Sequence, residues 1–227
     1  MEFSAGWARA HVRPWNEDLP AAAMRLERGG ARFLNLCAQT VSEWTDDVRS
    51  PATLPGSGRV WREAGFEEWG KLLLFEHLLT DLYPPETLVD ENAVSDVKVL
   101  NRIDRGAFPP AWRLGPIGLA ESVAATSRSA IHTVDVDGEI AGFAVTGTSL
   151  GVGYLQRLAV DPSYRGRGLG RALVRASLAW TRRRRAASLL VNTQPDNDQA
   201  VALYRGEGFN DVAAGLQMWR FRTATRN

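Results

Sequence analysis

LQRLAVDPSYRGRGLGRALV (155–174) is the stretch on which the rest of the chain is read. Residues 155–160 form a β-type apolar run that Asp161 and Pro162 end. Arg165-Gly166-Arg167-Gly168-Leu169-Gly170 then leads into a helix with Leu169, Ala172, Leu173, Ala176 and Trp180 on one face. The first-turn N–H groups of such a helix lack internal partners, and its dipole favours negative charge there. Glycines let the backbone approach an anion closely and accept φ > 0. Strand, loop and helix together predict a cradle for a pyrophosphate rather than a bare glycine-rich connection. Two better-known phosphate loops fit badly. The third glycine of a dinucleotide fingerprint falls one residue early, at Gly170, and a P-loop needs a lysine although none follows Lys98.

Working outward, IHTVDVDGEIAGFAVTG (131–147) reads as a hairpin around Asp137–Gly138. Before it, SDVKVLNRIDRGAF (95–108) predicts a helix capped by Ser95, with Val97, Leu100, Ile103 and Ala107 at helical spacing. FPPAWRLGP breaks that helix and GLAESVAATS (118–127) starts another. After it, SLLVN (188–192) is a buried-type strand and DNDQAVALYRGEGF (196–209) a capped helix closed by Gly206 and Gly208. A last strand runs near Leu216 to Phe221. In the first part of the chain, Arg9 to Trp15 reads as a strand ending at Pro14 and residues 49–59 as a loop. A strand is expected near Leu72 to Leu79, stopped by Pro84–Pro85.

The composition is that of a globular chain: 227 residues, 44% hydrophobic and 23% charged. One cysteine, Cys37, leaves no internal disulfide framework, and His11, His77 and His132 are too scattered for a zinc cluster, so no metal is expected. No apolar run approaches the ~18 residues of a membrane span, and no basic-then-apolar signal opens the sequence. The expected compartment is the cytoplasm. Residues 1–90 carry 9 basic and 14 acidic side chains, whereas residues 91–227 carry 18 and 12. The basic part suits an anionic ligand. REAGFEEWGKLLLFEHLL (62–79) echoes RGEGFNDVAAGLQMWRFR (205–222), a glycine–phenylalanine turn followed by an apolar strand. The first copy has no glycine-rich loop before it.

The segment from Arg165 to Gly170 resembles the Q/R-x-x-G-x-G/A signature of the GCN5-related N-acetyltransferase (GNAT) superfamily. VNTQPDNDQAVALYRGEGF (191–209) is similar to the strand, Asn-capped helix and "LY…GF" end of its ribosomal-protein N-terminal acetyltransferase branch. The resemblance covers roughly residues 90–227. It implies an α/β fold with a mixed, mostly antiparallel central sheet flanked by helices. Residues 89–227 would form the acetyltransferase domain and residues 1–88 an extension, read as a degenerate half domain of the same kind. It further implies acetyl-CoA as co-substrate, lodged between strands 155–160 and 188–192. The backbone of Leu158, Ala159 and Val160 would meet the pantetheine. Arg165, Gly166, Arg167, Gly168, Leu169, Gly170 and Arg171 would hold the pyrophosphate. Asn197 would touch the cofactor or cap its helix, and Tyr204 would stand beside the thioester sulfur.

Acetyl transfer to an amine needs a neutral amine, a stabilised oxyanion and a proton for the leaving thiolate. A phenol can supply that proton: its reference pKa of ~10 exceeds a thiol's ~8.5, a gap of roughly 2 kcal/mol that hydrogen bonding can offset. Tyr204 is therefore the expected general acid. A base is not evident. The ribosomal-protein branch commonly carries a glutamate where this sequence has Asn192, and Gln156 and Arg157 stand where other relatives place a carboxylate. The family's acceptor loop corresponds to GAFPPAWRLG (106–115), where Phe108 and Trp112 offer apolar walls and Arg113 a fork for a carboxylate; Gln156 joins them as a substrate candidate. The expected function is direct acetyl transfer to a primary amine of a peptide, protein or small molecule. A non-catalytic acyl-CoA-binding module is the alternative. GTSLG (147–151) mimics a hydrolase elbow but runs into a strand rather than a helix. Arg182 to Arg185 fit a solvated helix end better than a nucleic-acid site.

Overall fold

The computed structural model describes residues 1–91 and 96–222. Two compact units divide it: Met1–Leu73 together with the chain from Ala213, and Leu74–Val212. That division differs from a single cut after residue 88, and pairing in the last strand is the reason.

Unit 1 holds β1 (Glu2–Ala5), β2 (Ala8–Pro14), β3 (Ala22–Arg28), α1 (Ala31–Val41), β4 (Val48–Arg49) and α2 (Gly58–Glu63). Next comes the first part of β5 (Glu67–His77). Strand β2 is antiparallel to β1 and to β3, and β3 is parallel to β4. The unit is closed by the C-terminal part of β11 (Asn210–Phe221), which lies antiparallel to β4 with Arg220 opposite Arg49 and Phe221 opposite Val48. Trp219 and Phe221 enter the same apolar core as Met24, Leu34, Val48, Trp61 and Phe66. The expected loop at 49–59 is shorter than read: a 3₁₀ turn at Pro55–Ser57 passes into α2. Trp219 lies across Gly58, the first residue of that helix, and leaves no room there for a β-carbon.

Unit 2 contains β6 (Asp90–Glu91), α3 (Val97–Ala107), α4 (Gly115–Ala124), β7 (Arg128–Val136), β8 (Glu139–Ser149) and β9 (Val152–Val160). It continues through α5 (Leu169–Arg183), β10 (Ser188–Thr193) and α6 (Asp198–Gly206). Strands β6 to β9 form an antiparallel run, and β10 lies parallel to β9. The hairpin turns at Asp137 (φ 55°) and Gly138 (φ 85°), the left-handed pair the sequence predicts. Leu100, Ile103 and Leu119 of α3 and α4 cover Phe143, Val145 and Ala159. Helix α5 packs on β7, β8 and β9. The cap predicted at Ser95 lies outside the described residues; Asp96 caps α3 through the Lys98 N–H (2.9 Å). Among the described residues no helix is long and apolar enough to cross a membrane.

The echo between residues 62–79 and 205–222 has a structural counterpart. Gly65 and Gly208 both have φ +85°. The Phe66 N–H bonds to the Trp61 carbonyl and the Phe209 N–H to the Tyr204 carbonyl, each at 3.0 Å. The order β1-β2-β3-α1-β4-α2-β5 matches β7-β8-β9-α5-β10-α6-β11. The connection before α1 is only Gly29–Gly30, and a β-carbon on Gly29 would meet Phe33 at 3.0 Å.

His132 on β7 is 2% exposed, with the Trp180 ring edge-on at 6.3 Å. Its Nε2 has no partner among the described residues. Burial pushes its pKa down to about 4, against the pull of Glu91. The unfolded chain therefore takes up a proton near pH 6.5 that the folded chain refuses until about pH 4. Stability conferred by the neutral ring is complete above pH 6.5 and falls as pH drops towards 4, by about 3 kcal/mol in all. His132→Leu should lose much less stability than wild type between pH 7 and 4.5, read from urea midpoints. Equal losses would remove His132 as the cause.

Candidate active site

Strands β9 and β10 pair only from Val152–Ser188 to Leu155–Val191. At that point β9 carries a bulge: Val145 opposes Arg157 while Thr146 opposes Leu155, so Gln156 is the extra residue. A bulge bends its strand and interrupts the ladder. Beyond it β9 runs on to Val160 with one edge turned away from β8 and no longer paired with β10. An extended, amide-bearing ligand can complete such an edge.

The strand ends in the predicted loop. Asp161 caps a 3₁₀ turn, Pro162–Tyr164, through the Ser163 N–H (3.0 Å). Gly166 (φ +75°) and Gly168 (φ +78°) are left-handed, and a β-carbon at either would have nothing within 4 Å. Gly168 is the N-cap of α5, and the first helical bond runs from the Ala172 N–H to its carbonyl (3.0 Å). The N–H groups of Leu169, Gly170 and Arg171 precede that bond, and all three residues lie on the wall of a cleft, where the helix dipole favours an anion.

A cleft of about 740 Å³ follows this arrangement. Its walls include Leu158, Ala159, Val160, Arg165, Gly166, Gly168, Leu169, Gly170, Arg171 and Asn197 from the predicted cofactor set, and Phe108 and Trp112 from the predicted acceptor set. Asn197 caps α6, accepting from the Ala200 N–H (3.3 Å) and donating to Thr193 Oγ1 (3.1 Å). Arg165 ties the phosphate loop to the acceptor loop through the Ala107 carbonyl (3.1 Å).

Four predicted residues are not on the walls. Arg167 lies over the Tyr164 ring at 5.3 Å. Arg113 spends its Nε on the Phe108 carbonyl (3.0 Å), and Gln156 turns to Thr126 Oγ1 (3.3 Å). Tyr204 is 4% exposed, its ring packed against Phe75 (5.9 Å) and Phe209 (5.7 Å). Burial pushes its phenol well above the ordinary range, and the Arg157 charge pulls it the other way.

Sequence reasoning missed one pair. Asp104 on α3, 1% exposed, accepts from Arg157 Nε through Oδ1 (2.6 Å) and from the Leu114 N–H through Oδ2 (2.9 Å). Arg157 Nη2 also donates to the Trp112 carbonyl (2.9 Å), and its guanidinium lies 3.4 Å from the Phe108 ring centre. These contacts hold both ends of the loop between α3 and α4. An aspartate in the middle of a helical pattern at a core-facing position was the available signal.

Residues 98–209 match the acetyltransferase (GNAT) family. The [ribosomal protein bS18]-alanine N-acetyltransferase of Escherichia coli K12 is 39% identical over 76 residues, 34% of this chain and 51% of that protein. The chain thus spans about half the length of that relative. An aminoglycoside N(6')-acetyltransferase type 1 of Stenotrophomonas maltophilia is 35% identical over 103 residues, 41% of this chain and 67% of that protein. Among solved structures, a tandem GNAT protein from the clavulanic acid biosynthesis pathway shares the fold, with TM-score 0.64 and 14% identity, over 97% of this chain and 79% of its own.

Proposed function

The chain belongs to the acetyltransferase (GNAT) family, and we propose that it transfers the acetyl group of acetyl-CoA directly to a primary amine of a peptide, protein or small molecule. The observation that carries this reading is the parting of β9 from β10 onto a left-handed glycine loop at the start of α5. The N–H groups from Arg165 to Arg171 would hold the pyrophosphate. The free edge of β9 at Leu158 and Val160 would pair with the amides of the pantetheine arm, and Asn197 would keep α6 against it. When bound, acetyl-CoA supplies an activated thioester. Tyr204 would hand its phenolic proton to the departing sulfur. Direct transfer is supported by the position of the one cysteine: Cys37 is buried in unit 1, where burial pushes its thiol up and away from the reactive thiolate.

Unit 1 we read as a degenerate second copy of the same fold. The matching element order and the paired turns at Gly65 and Gly208 support that reading. Its Gly29–Gly30 connection is too short and too crowded by Phe33 to cradle a phosphate, so one cofactor per chain is expected. Acetyl-CoA is available in the cytoplasm, which would be the compartment of this activity.

The test is release of free CoA thiol from acetyl-CoA with a panel of amines. The names of the relatives make a peptide with N-terminal alanine and an aminoglycoside the first to try. Amine-dependent thiol release, with acetylated amine found by mass, supports transfer; binding without any release would make the protein an acyl-CoA-binding module. Trp112 lines the cleft, while the group it gives Arg157 is its backbone carbonyl, so truncating the side chain spares that bond. Trp112→Ala should raise the acceptor KM about tenfold, the equivalent of about 1.4 kcal/mol of contact, and leave acetyl-CoA affinity nearly unchanged. Equal loss of both would return Trp112 to a packing role.

A further inference from the structure

The loop between α3 and α4, residues 108–114, brings Phe108 and Trp112 to the cleft wall. Surface loops ordinarily leave their backbone groups to water and move accordingly. This one is pinned. The Ala107 carbonyl just before it accepts from Arg165 (3.1 Å), the Phe108 carbonyl from Arg113 (3.0 Å) and the Trp112 carbonyl from Arg157 (2.9 Å). At its far end the Leu114 N–H donates to Asp104 Oδ2 (2.9 Å). Within the loop the Trp112 N–H bonds to the Pro109 carbonyl (2.9 Å).

Asp104 and Arg157 supply two of these anchors, and neither lines the cleft. Arg157 follows the bulge residue Gln156. Past the bulge Val145 opposes Arg157 and Phe143 opposes Ala159, and Val145, Phe143 and Ala159 all pack beneath α3 and α4. Residues 157 and 159 share a face of the sheet, so the bulge aims Arg157 at those helices. There its guanidinium meets Asp104 Oδ1 (2.6 Å) and lies 3.4 Å from the Phe108 ring centre. Asp104, in the last turn of α3, is 1% exposed. The carboxylate neutralises the guanidinium, so what the pair offers the loop is geometry, not charge. A buried ion pair adds little net stability over apolar side chains of the same volume, but it can specify one conformation.

We propose that Asp104 and Arg157 are positioning residues that hold the acceptor wall ready-made: they pin Leu114 to α3 and Trp112 to β9, so that Phe108 and Trp112 stand in one arrangement before an acceptor arrives. This rests on the acetyl-transfer reading above and deepens it by assigning control of acceptor recognition to a pair outside the cleft. A wall already ordered need not be ordered by its ligand, which raises affinity without adding a contact. It also narrows the choice of acceptor, because the two rings cannot re-pack around a different one. The cofactor end of the cleft is built from other residues, those of the glycine loop and of α6, and should not feel the change.

The test compares the full chain with the double variant Asp104→Leu, Arg157→Met, which exchanges the ion pair for apolar side chains of similar size. The variant should melt cooperatively within about 5 °C of wild type and bind acetyl-CoA within about twofold of it. The Trp112 amide reports on the loop, because its partner is the Pro109 carbonyl and neither exchanged side chain makes that bond. Its hydrogen exchange, followed by NMR, should speed up about tenfold or more. With the amine of the panel above that wild type acetylates best, kcat/KM should fall about tenfold or more, chiefly through KM, and the ranking of the amines should flatten. Arg157→Lys keeps the charge but loses the planar fork that spans Asp104 and the Trp112 carbonyl. It should fall between the two, and it carries the test if the double variant does not fold. Unchanged Trp112 exchange in the folded variant, or an unchanged KM and ranking of amines, would overturn the proposal. So would an equal loss of acetyl-CoA affinity, the mark of a general loosening. If wild type acetylates no amine of the panel, the transfer reading fails, while Trp112 exchange still decides whether the pair orders the loop.

Discussion

Gly168→Val should weaken acetyl-CoA binding by on the order of 100-fold or more, the sum of a strained backbone and an obstructed cradle. Gly168 sits at φ +78°, where a β-branched residue is strained by about 1–3 kcal/mol. Its β-carbon would meet no protein atom within 4 Å, so the substitution does not collide with the fold; it adds bulk to the glycine loop that lines the cleft. Gly168→Ala is the graded companion, bearing the conformational strain with less bulk, and should fall between the two. Calorimetry with acetyl-CoA, beside a thermal melt showing a cooperatively folded protein, measures the effect. Wild-type affinity in a folded Gly168→Val protein would mean that the pyrophosphate is bound elsewhere.

Tyr204→Phe should lower turnover about 100-fold, the lower range for loss of a general acid. The change removes one oxygen from a ring packed between Phe75 and Phe209, so the fold of α6 should survive it. Burial makes the phenol a weaker acid than free tyrosine, and the Arg157 charge works in the opposite direction. Single-turnover measurements isolate the chemical step from product release. A chemical step as fast as wild type would take Tyr204 out of the mechanism.

Much of unit 2 was legible in the sequence because its signals are local. A left-handed turn pair at Asp137–Gly138, an Asx cap at Asn197 and glycines at the start of α5 each specify a backbone conformation within a few residues. The glycine-loop wall of the cleft is built from that same short stretch, so a local reading of the sequence brings its residues together. The acceptor side could not be read in the same way. Arg157 and Asp104 lie 53 positions apart, and neither residue type says that the other will meet it. Arg113 and Gln156 were chosen for their chemistry, yet backbone carbonyl and threonine partners claim them first. No periodicity in residues 210–221 reveals that Arg220 and Phe221 pair with Arg49 and Val48.

That last pairing also sets a schedule for biosynthesis. The Trp219 N–H is bonded to Ser50 Oγ across 169 positions of sequence, and Arg220 reaches Asp47 across 173. A ribosome adding roughly 5–20 residues per second needs roughly eight to thirty seconds to travel from Phe66 to Trp219. Throughout that interval Met24, Leu34, Trp61 and Phe66 are already made while the strand that seals them is not. The nascent chain therefore emerges with an unsealed apolar surface and an unpaired edge at β4, the kind of exposure that holdase chaperones recognise and that favours aggregation in their absence.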